Sequence, residues 1–286
     1  MINWLVSYPK SGNTWVRLFL SSLIYSEDGQ SNFKSLENIM QYPHRAFFNK
    51  FNCDFNDIYS ISEYWIPSQI RLNQDKKIKF LKTHHIMCSV RNKAFTNYEN
   101  TKGVIYIVRD PRNVVTSVLK HFSKKDINDA YNFIIDEYKI LGGDLKDQNK
   151  IVKNDNGLYN LISSWSQHYN SWKNFKKNFL LLKYENLVTD PQKEFSKLRD
   201  YLNNVLNVTF SDKKFLKSIE SNSFQNLKNL EKKNSFEEAK IDQNTGKKIN
   251  FFNLGKENNY KKILDKSVRE KIEKKFYSEM KELNYL

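Results

Sequence analysis

The sequence has few cysteines and no long apolar run. Its 286 residues include two cysteines, Cys53 and Cys88, which lack the spacing of metal ligands and are too few for a disulfide framework. This favours a reducing compartment. No apolar run approaches the roughly 18 residues that a membrane span needs, and no charged-then-apolar leader precedes the first strand. We therefore expect a cytoplasmic protein without a membrane span.

Acidic residues are also scarce relative to basic ones. The chain has 32 Asp and Glu against 47 Lys and Arg, which gives a net charge of +15. A positive field favours an anionic partner such as a nucleotide, a nucleic acid, a polyanion or a membrane face. A lysine-rich surface also raises solubility, so charge alone does not separate the two interpretations. Because no helix-turn-helix, zinc or RNP pattern is present, we do not expect a nucleic-acid partner.

Short apolar runs without clean alternation are typical of strands that are covered on both faces. Helical segments separate these runs, and no internal repeat or change of composition marks a second domain. We predict an α/β fold with one domain over residues 1–286, in which helices flank a mainly parallel sheet. In such folds, ligands bind at the carboxyl ends of the strands. The predicted strands contain residues 4–6, 79–81, 104–108 and 179–182.

Several helix boundaries can be predicted from capping residues. An Asp-Pro pair begins a helix after Asp110 and again after Asp190. Residues 14–24 are apolar almost all round, which indicates a buried helix. Ser267 and Glu270 form a capping box that predicts the start of the last helix. The polar, lysine-rich stretch 228–250 is predicted to be a loop or lid.

The stretch YPKSGNTW, residues 8–15, joins the first predicted strand to the buried helix. A tight turn before a helix N-terminus points backbone N–H groups outward and forms a cradle for an anion. Gly12 permits the turn, and Lys10 adds a positive charge. The order is not that of a Walker A loop, because Lys10 precedes Gly12 rather than following it. A magnesium-dependent nucleotide kinase is therefore disfavoured, while an ordinary strand–turn–helix corner stays open.

This loop resembles the first signature, Y-P-K-S-G-T-T-W, of the sulfotransferases that depend on 3′-phosphoadenosine 5′-phosphosulfate (PAPS). The single difference is Asn13 in place of the first threonine, which keeps a polar side chain. The resemblance implies a P-loop-NTPase-like sulfotransferase fold and a loop that holds the 5′-phosphosulfate. The implied donor-binding residues of the loop are Lys10, Ser11, Gly12, Asn13, Thr14 and Trp15.

A second motif, YIVRDPRNVVTSVLKHF, places Arg109 at the end of a strand and Ser117 two turns into the next helix. A guanidinium and a hydroxyl so placed can grip one phosphate. In the family, the arginine and serine at this spacing bind the 3′-phosphate of the nucleotide. A capped helix with a surface arginine also explains the motif, but not its co-occurrence with the first.

The run FLKTHHIMC lies between these motifs and resembles the K-T-H run that carries the catalytic base of the family. The resemblance assigns His84 as the base and Lys82 as its electrostatic support. His85 is a competitor, because neighbouring side chains on a strand face opposite ways and only one can enter the cleft.

Weaker matches extend the resemblance towards the end of the sequence. Trp165, His168 and Trp172 resemble the Trp-x-x-His helix of the family, which we interpret mainly as packing. Tyr184 resembles a strand-end tyrosine on the adenosine side of the site. Phe224 matches an aromatic residue that stacks on adenine, although a core position explains it equally well.

The third family signature, approximately F-F-R-K-G-x-x-G-D-W-K, is only partly present in FFNLGKENNYKKIL. Gly255 is kept, but Asn253 and Leu254 stand where the Arg-Lys pair normally holds the 3′-phosphate. We expect either weaker nucleotide binding or compensation by Lys256, or by Lys247 and Lys248. The family dimer signature also fails, since its first and last positions fall on Ile263 and Ile272, so no oligomeric state follows.

The resemblance implies sulfuryl transfer from PAPS to a hydroxyl or amine by in-line displacement. His84 would act as general base, Lys10 would stabilise the leaving nucleotide, and no metal would be needed. A P-loop nucleotide kinase, or a degenerate protein that binds nucleotide or nucleic acid without catalysis, are the alternatives. The acceptor, a small molecule or a glycan, is not readable from the sequence, although residues 31–73 are where such enzymes shape the acceptor pocket.

Overall fold

The structure is a computed structural model that describes residues 1–142, 158–234, 236, 240–241, 248–252, 255 and 258–286. Its strands are β1 (Ile2–Ser7), β2 (Lys79–Thr83), β3 (Ser89–Val90), β4 (Lys93–Ala94), β5 (Thr101–Val108), β6 (Ile140–Leu141), β7 (Asn160–Leu161), β8 (Phe179–Lys183), β9 (Lys240–Ile241) and β10 (Lys248–Ile249). Four of these described strands form a parallel central sheet in the order β2-β1-β5-β8. The short antiparallel pairs β3-β4, β6-β7 and β9-β10 lie outside this sheet.

Helices fill most of the remaining described chain, and a 3₁₀ helix occupies Phe33–Asn38. The α-helices are α1 (Asn13–Tyr25), α2 (Arg45–Phe48), α3 (Ile58–Glu63), α4 (Trp65–Asn73), α5 (Pro111–His121), α6 (Ile127–Ile135), α7 (Trp165–Lys173), α8 (Tyr184–Thr189), α9 (Pro191–Leu206), α10 (Asp212–Ser221), α11 (Phe224–Lys233), α12 (Tyr260–Ile263), α13 (Lys266–Lys275) and α14 (Tyr277–Glu282).

The sheet separates two apolar cores, as expected for strands that are covered on both faces. Trp4 and Val6 of β1 pack into one core, whereas Leu5 packs into the other. The same alternation holds in β5, where Tyr106 and Ile107 face opposite cores. The predicted α/β architecture with a parallel central sheet is confirmed, and β1 and β5, the two strands in its middle, end beside each other.

The predicted helix starts at Asp110 and Asp190 are confirmed, since each carboxylate accepts a hydrogen bond from a backbone N–H of its helix. The predicted capping box at Ser267 is wrong. Asp265 caps α13 instead, accepting from the backbone N–H of Val268 at 2.8 Å, so Ser267 lies inside the first turn. A carboxylate is among the strongest N-cap groups, and here it precedes the serine by two residues.

The stretch 228–250 is not a continuous loop, which corrects the sequence prediction. Its first residues, up to Lys233, continue α11, and Lys240–Ile241 pairs with Lys248–Ile249. Helix α11 is stabilised by Leu227 and Glu231, whose side chains are buried against the rest of the molecule. Lys232 and Lys233 are exposed on this helix, so this part of the lysine-rich stretch is helical. Residues 235, 237–239 and 242–247 of the stretch lie outside the described residues.

Candidate active site at the carboxyl edge of the sheet

The loop between β1 and α1 has the geometry of an anion cradle. Lys10 and Gly12 have φ values of 68° and 99°, and the backbone N–H of Ser11 donates to the Tyr8 carbonyl at 3.3 Å. Within the described chain, no side chain caps the N-terminus of α1, and its first turn contains no acidic residue. The partial positive charge of this helix end is therefore not neutralised by the protein, which suits a bound anion.

Gly12 is required at its position for two reasons. A φ of 99° is a conformation that side chains other than hydrogen disfavour. In addition, a Cβ atom on Gly12 would lie 2.6 Å from Cδ2 of Tyr184, the first residue of α8. The ring of Tyr184 is thus packed directly on the loop, with Trp15 edge-on to it at 6.1 Å.

Arg109 joins the second motif to the first. Its Nη1 donates to the carbonyl oxygen of Lys10 at 2.8 Å, and its guanidinium lies 4.1 Å from the ring centroid of Tyr184. The side chain is almost completely buried, and its Nε has no hydrogen-bond partner among the described residues. The loop and the Arg109 motif, about one hundred residues apart in sequence, therefore lie against each other at one edge of the sheet.

The two adjacent histidines have different environments. His84 follows β2 and is half-buried, and its Nδ1 lies 2.6 Å from the carbonyl oxygen of Ser7. His85 is fully buried, stacks on Phe95 with a centroid distance of 4.1 Å, and places Nδ1 2.6 Å from the Ile86 carbonyl. Burial lowers the pKa of His85 to about 3, so this ring stays neutral in the core.

His168 on α7 supports the backbone of His84. Its Nε2 lies 3.1 Å from the His84 carbonyl, which can only accept, so Nε2 carries the proton. Its Nδ1 then accepts from the Tyr106 hydroxyl at 2.8 Å. Burial lowers the pKa of His168 to about 3, which keeps this tautomer neutral. The Trp-x-x-His helix therefore packs as predicted, with Trp165 and Trp172 buried, and it also holds the end of β2 in place.

Lys82 and Ser117 lie on the elements predicted for them. Lys82 is on β2, mostly buried, and its backbone bonds to Met40 and Tyr42. Ser117 is half-buried on α5, one residue after Thr116, whose hydroxyl donates to Asn258 Oδ1 at 2.9 Å. This bond ties α5 to the chain that follows Gly255.

The described part of the third motif packs on the first. Nζ of Lys10 lies 4.5 Å from the ring centroid of Phe251. Phe224, at the start of α11, packs on Gly255, because a Cβ there would lie 2.6 Å from its ring. Asn253, Leu254, Lys256 and Lys247 lie outside the described residues, as does the side chain of Lys248.

Glu231 is a residue that the sequence analysis missed. Its buried carboxylate accepts from the backbone N–H groups of Phe251 at 2.6 Å and Phe252 at 2.9 Å. An anion that receives two backbone amides fixes the course of the chain there. The only sequence signal was an acidic residue at a position that helical spacing places on the buried face of α11.

A second unpredicted group is the carboxyl network beneath Arg109. Glu185 accepts from the backbone N–H of Asp110 at 3.0 Å and from the Tyr285 hydroxyl at 2.9 Å. Burial raises the pKa of Glu185. Arg112 binds Asp110 and also donates to Glu273 and to the Tyr285 carbonyl. These contacts tie the ends of β5 and β8 to the last helices.

Comparison with known proteins identifies the family. The model of the sulfotransferase domain matches residues 3–284 of this chain. The chain belongs to the sulfotransferase family. Within the residues that the structure describes, no helix is both long enough and apolar enough to cross a membrane, and no group of three or more His, Cys, Asp or Glu side chains could hold a metal ion.

Individual relatives are distant. This sulfotransferase is 25% identical to a 3-beta-hydroxysteroid sulfotransferase of Cavia porcellus over 78% of the chain and 69% of that protein. It is 24% identical to cytosolic sulfotransferase 7 of Arabidopsis thaliana over 79% of the chain and 64% of that protein. A mouse sulfotransferase complexed with PAP has the same fold, with a TM-score of 0.56 and 18% identity, over 98% of this chain and 84% of that one.

Proposed function

We propose that this sulfotransferase transfers the sulfuryl group of PAPS to a hydroxyl or amine of a small-molecule or glycan acceptor. The observation that carries the proposal is the hydrogen bond from Arg109 Nη1 to the Lys10 carbonyl, with Tyr184 packed on both motifs. This contact supports a single nucleotide site, because it sets the loop proposed for the 5′-phosphosulfate and the cation proposed for the 3′-phosphate side by side. Family membership and the resemblance of the motifs support the same donor.

The residues of the loop fit an anionic donor group. Ser11 Oγ is buried and has no hydrogen-bond partner within the described residues, so a donor hydroxyl is left for a ligand. The helix N-terminus adds the backbone N–H groups of residues 12–15. In the proposal, Lys10 Nζ leaves the face of Phe251 and stabilises the negative charge that develops on the leaving oxygen. When bound, PAPS supplies the activated sulfuryl group.

The 3′-phosphate side of the site is assigned to Arg109 and Ser117, with Tyr184, Phe224 and Gly255 shaping the nucleotide pocket. Arg109 keeps Nε unpaired among the described residues while Nη1 holds the loop. One guanidinium can thus link the two halves of the site and still donate to a phosphate. Lys256 stays a proposed contributor from outside the described residues.

His84 is proposed as the general base, with a defined tautomer. A carbonyl oxygen accepts hydrogen bonds only, so the short contact with the Ser7 carbonyl requires a proton on Nδ1 of His84. The lone pair of the neutral ring is then on Nε2, which takes the proton of the acceptor hydroxyl or amine. Lys82, which lies on β2 two residues before His84, is proposed as the electrostatic support of this base. Such a base contributes about 10²–10⁴-fold to the rate.

The proposal extends to organisation and location. We assign residues 1–286 to one sulfotransferase domain in the cytoplasm, in keeping with relatives that are named cytosolic. Two relatives are named for a 3-beta-hydroxysteroid and a flavonol, which are small hydroxylated molecules. A screen of labelled sulfate transfer over phenols, steroids, lipids, amines and sugars identifies the acceptor.

Two measurements test the proposal. Adenosine 3′,5′-bisphosphate at about 100 times its dissociation constant should add roughly 2.7 kcal/mol of stability, whereas ATP with magnesium should not. For the base, His84→Asn keeps an amide donor near the Ser7 carbonyl and removes Nε2, so kcat should fall by about 10²–10⁴-fold with nucleotide binding retained.

The matched control is His85→Asn, which keeps a donor for the Ile86 carbonyl and should retain kcat within a few-fold, about the scatter for a residue outside the reaction. Wild-type kcat in His84→Asn would refute the base, and stabilisation by ATP with magnesium alone would refute the donor.

A further inference from the structure

The loop YPKSGNTW, residues 8–15 and called the donor loop below, departs from the family signature at Asn13. The side chain of Asn13 faces the sheet. Its Nδ2 donates to Ser7 Oγ at 3.2 Å and to the Leu5 carbonyl at 3.3 Å. The side chain is only 5% exposed. The amide nitrogen thus donates to two groups of β1.

The remaining polar atom of Asn13 cannot bind a phosphate. Its Oδ1 is buried without a hydrogen-bond partner among the described residues. A carbonyl oxygen only accepts hydrogen bonds, and an ionised phosphate or sulfate also only accepts. The backbone N–H of Asn13 can still serve the cradle, but its side chain has another role.

Ser7 accepts a hydrogen bond from the Asn13 amide and also contacts the ring of His84. Strands β1 and β2 pair in register with Val6 opposite Thr83, so Ser7 and His84 are neighbours at the strand ends. Ser7 contacts Nδ1 of His84 twice, through its carbonyl at 2.6 Å and through Oγ at 3.4 Å. A shift of Ser7 therefore moves both groups that fix the ring and its tautomer.

We propose that Asn13 is a positioning residue for His84, acting through Ser7; this rests on the proposed role of His84 as base. The amide clamps Ser7 from the side of the donor loop, and Ser7 in turn keeps the His84 proton on Nδ1 and the lone pair on Nε2. A threonine hydroxyl has one proton and cannot donate to Ser7 Oγ and the Leu5 carbonyl together, which gives the asparagine a specific advantage. The donor loop and the base are thereby mechanically linked.

The first test measures His84 itself, without substrates. Nitrogen-15 NMR of histidine-labelled protein reports the tautomer of each ring, and His84→Asn assigns the signal. In the wild type we expect neutral His84 with the proton on Nδ1. In Asn13→Thr the Nε2-protonated share should at least double, while the signal of buried His85 stays unchanged. Ser7→Ala, which keeps the carbonyl but removes Oγ, should give the same change if Asn13→Thr does not fold.

The second test separates the positioning of the base His84 from the binding of the nucleotide. Asn13→Thr should lower kcat by about tenfold, the scale expected for a base that is displaced by a fraction of an ångström. The dissociation constant for adenosine 3′,5′-bisphosphate should change by less than about threefold, because the side chain does not face the cradle. Asn128→Thr, an exposed first-turn asparagine on α6, is the matched control and should change neither quantity.

The outcomes are distinguishable. An unchanged His84 tautomer in both Asn13→Thr and Ser7→Ala overturns the proposal, as does a loss confined to nucleotide affinity. Absence of sulfuryl transfer by the wild type, together with the expected NMR change, counts against the proposed function and leaves the structural link intact. A changed tautomer with reduced kcat and retained nucleotide affinity supports both.

Discussion

Replacing Gly12 with alanine should damage nucleotide binding more than it damages the fold. The added Cβ would lie 2.6 Å from Tyr184 Cδ2, whereas ordinary contact begins at 3.4 Å, so the ring or the loop must move by about 0.8 Å. Tyr184 is also the ring on which Arg109 lies. The displacement therefore reaches the guanidinium that we assign to the 3′-phosphate.

The magnitude follows from two contributions. A residue with a side chain at positive φ costs roughly 1–2 kcal/mol. Weakening the stacked contact of Arg109 with Tyr184, or its charge-assisted bond to phosphate, costs about 1–3 kcal/mol more in the complex. We expect the dissociation constant for adenosine 3′,5′-bisphosphate to rise by tenfold or more, since about 1.4 kcal/mol corresponds to a factor of ten.

Isothermal titration calorimetry measures the affinity, and thermal unfolding measures the loss of stability. Gly29→Ala is the matched control. Gly29 has φ 88°, and a Cβ there would lie 2.6 Å from the Lys214 carbonyl oxygen, but none of the predicted site residues is among its contacts. Gly29→Ala should lower Tm by a few degrees, at about 2–4 °C for each kcal/mol of stability lost, without weakening nucleotide binding. Equal affinity losses in both variants, or full affinity in Gly12→Ala, would refute the reasoning.

Three further predictions concern stability. Burial lowers the pKa of His85 to about 3, so as pH falls below about 6.5 the unfolded chain takes up a proton that the folded ring does not. The free energy of unfolding of the wild type, measured in urea, should therefore fall by about 1.4 kcal/mol per pH unit from this group. The same pH dependence in His85→Asn would contradict this prediction. Glu231→Gln leaves two backbone N–H groups with one acceptor and should lower the free energy of unfolding by about 1–3 kcal/mol. It should also weaken nucleotide binding measured by calorimetry. An unchanged Tm and an unchanged affinity would count against this prediction. Arg112→Met leaves the buried carboxylate of Asp110 without its cation and should lower the free energy of unfolding in urea by about 3–5 kcal/mol. Lys217→Met, which breaks an exposed ion pair, should lower it by under about 1 kcal/mol. Equal losses in the two variants would show that burial of the pair is irrelevant.

The order of strands and helices was predictable because it depends on local patterns. Four apolar runs without alternation indicated buried parallel strands, and all four lie in the central sheet. Asp-Pro pairs located two helix starts, because a cap and a fixed φ act within a few residues. The capping box at Ser267 failed for the same local reason, since Asp265 offers a competing cap two residues earlier.

The residues of the candidate site were predictable from the sequence only in part. Residue type and spacing were enough to propose Lys10 and Arg109 for an anion, because few side chains can bind a phosphate, whereas His84 was implied by the resemblance of its K-T-H run to the family. The K-T-H resemblance proposed His84 rather than His85 as the base. The structure adds what the sequence does not say, namely that His84 lies beside Ser7 whereas His85 is buried in the core.

The sequence by itself determined that this chain forms strands and helices in alternation and carries motifs that resemble those of the sulfotransferase family, because both are properties of short stretches. Only the tertiary structure decided which groups meet. The Arg109 contact with Lys10, the clamp of Glu231 on Phe251, and the link from Asn13 through Ser7 to His84 join elements that are set side by side by sheet register and helix packing. Such contacts depend on how buried surfaces fit together across the whole molecule, which no local pattern of residues encodes.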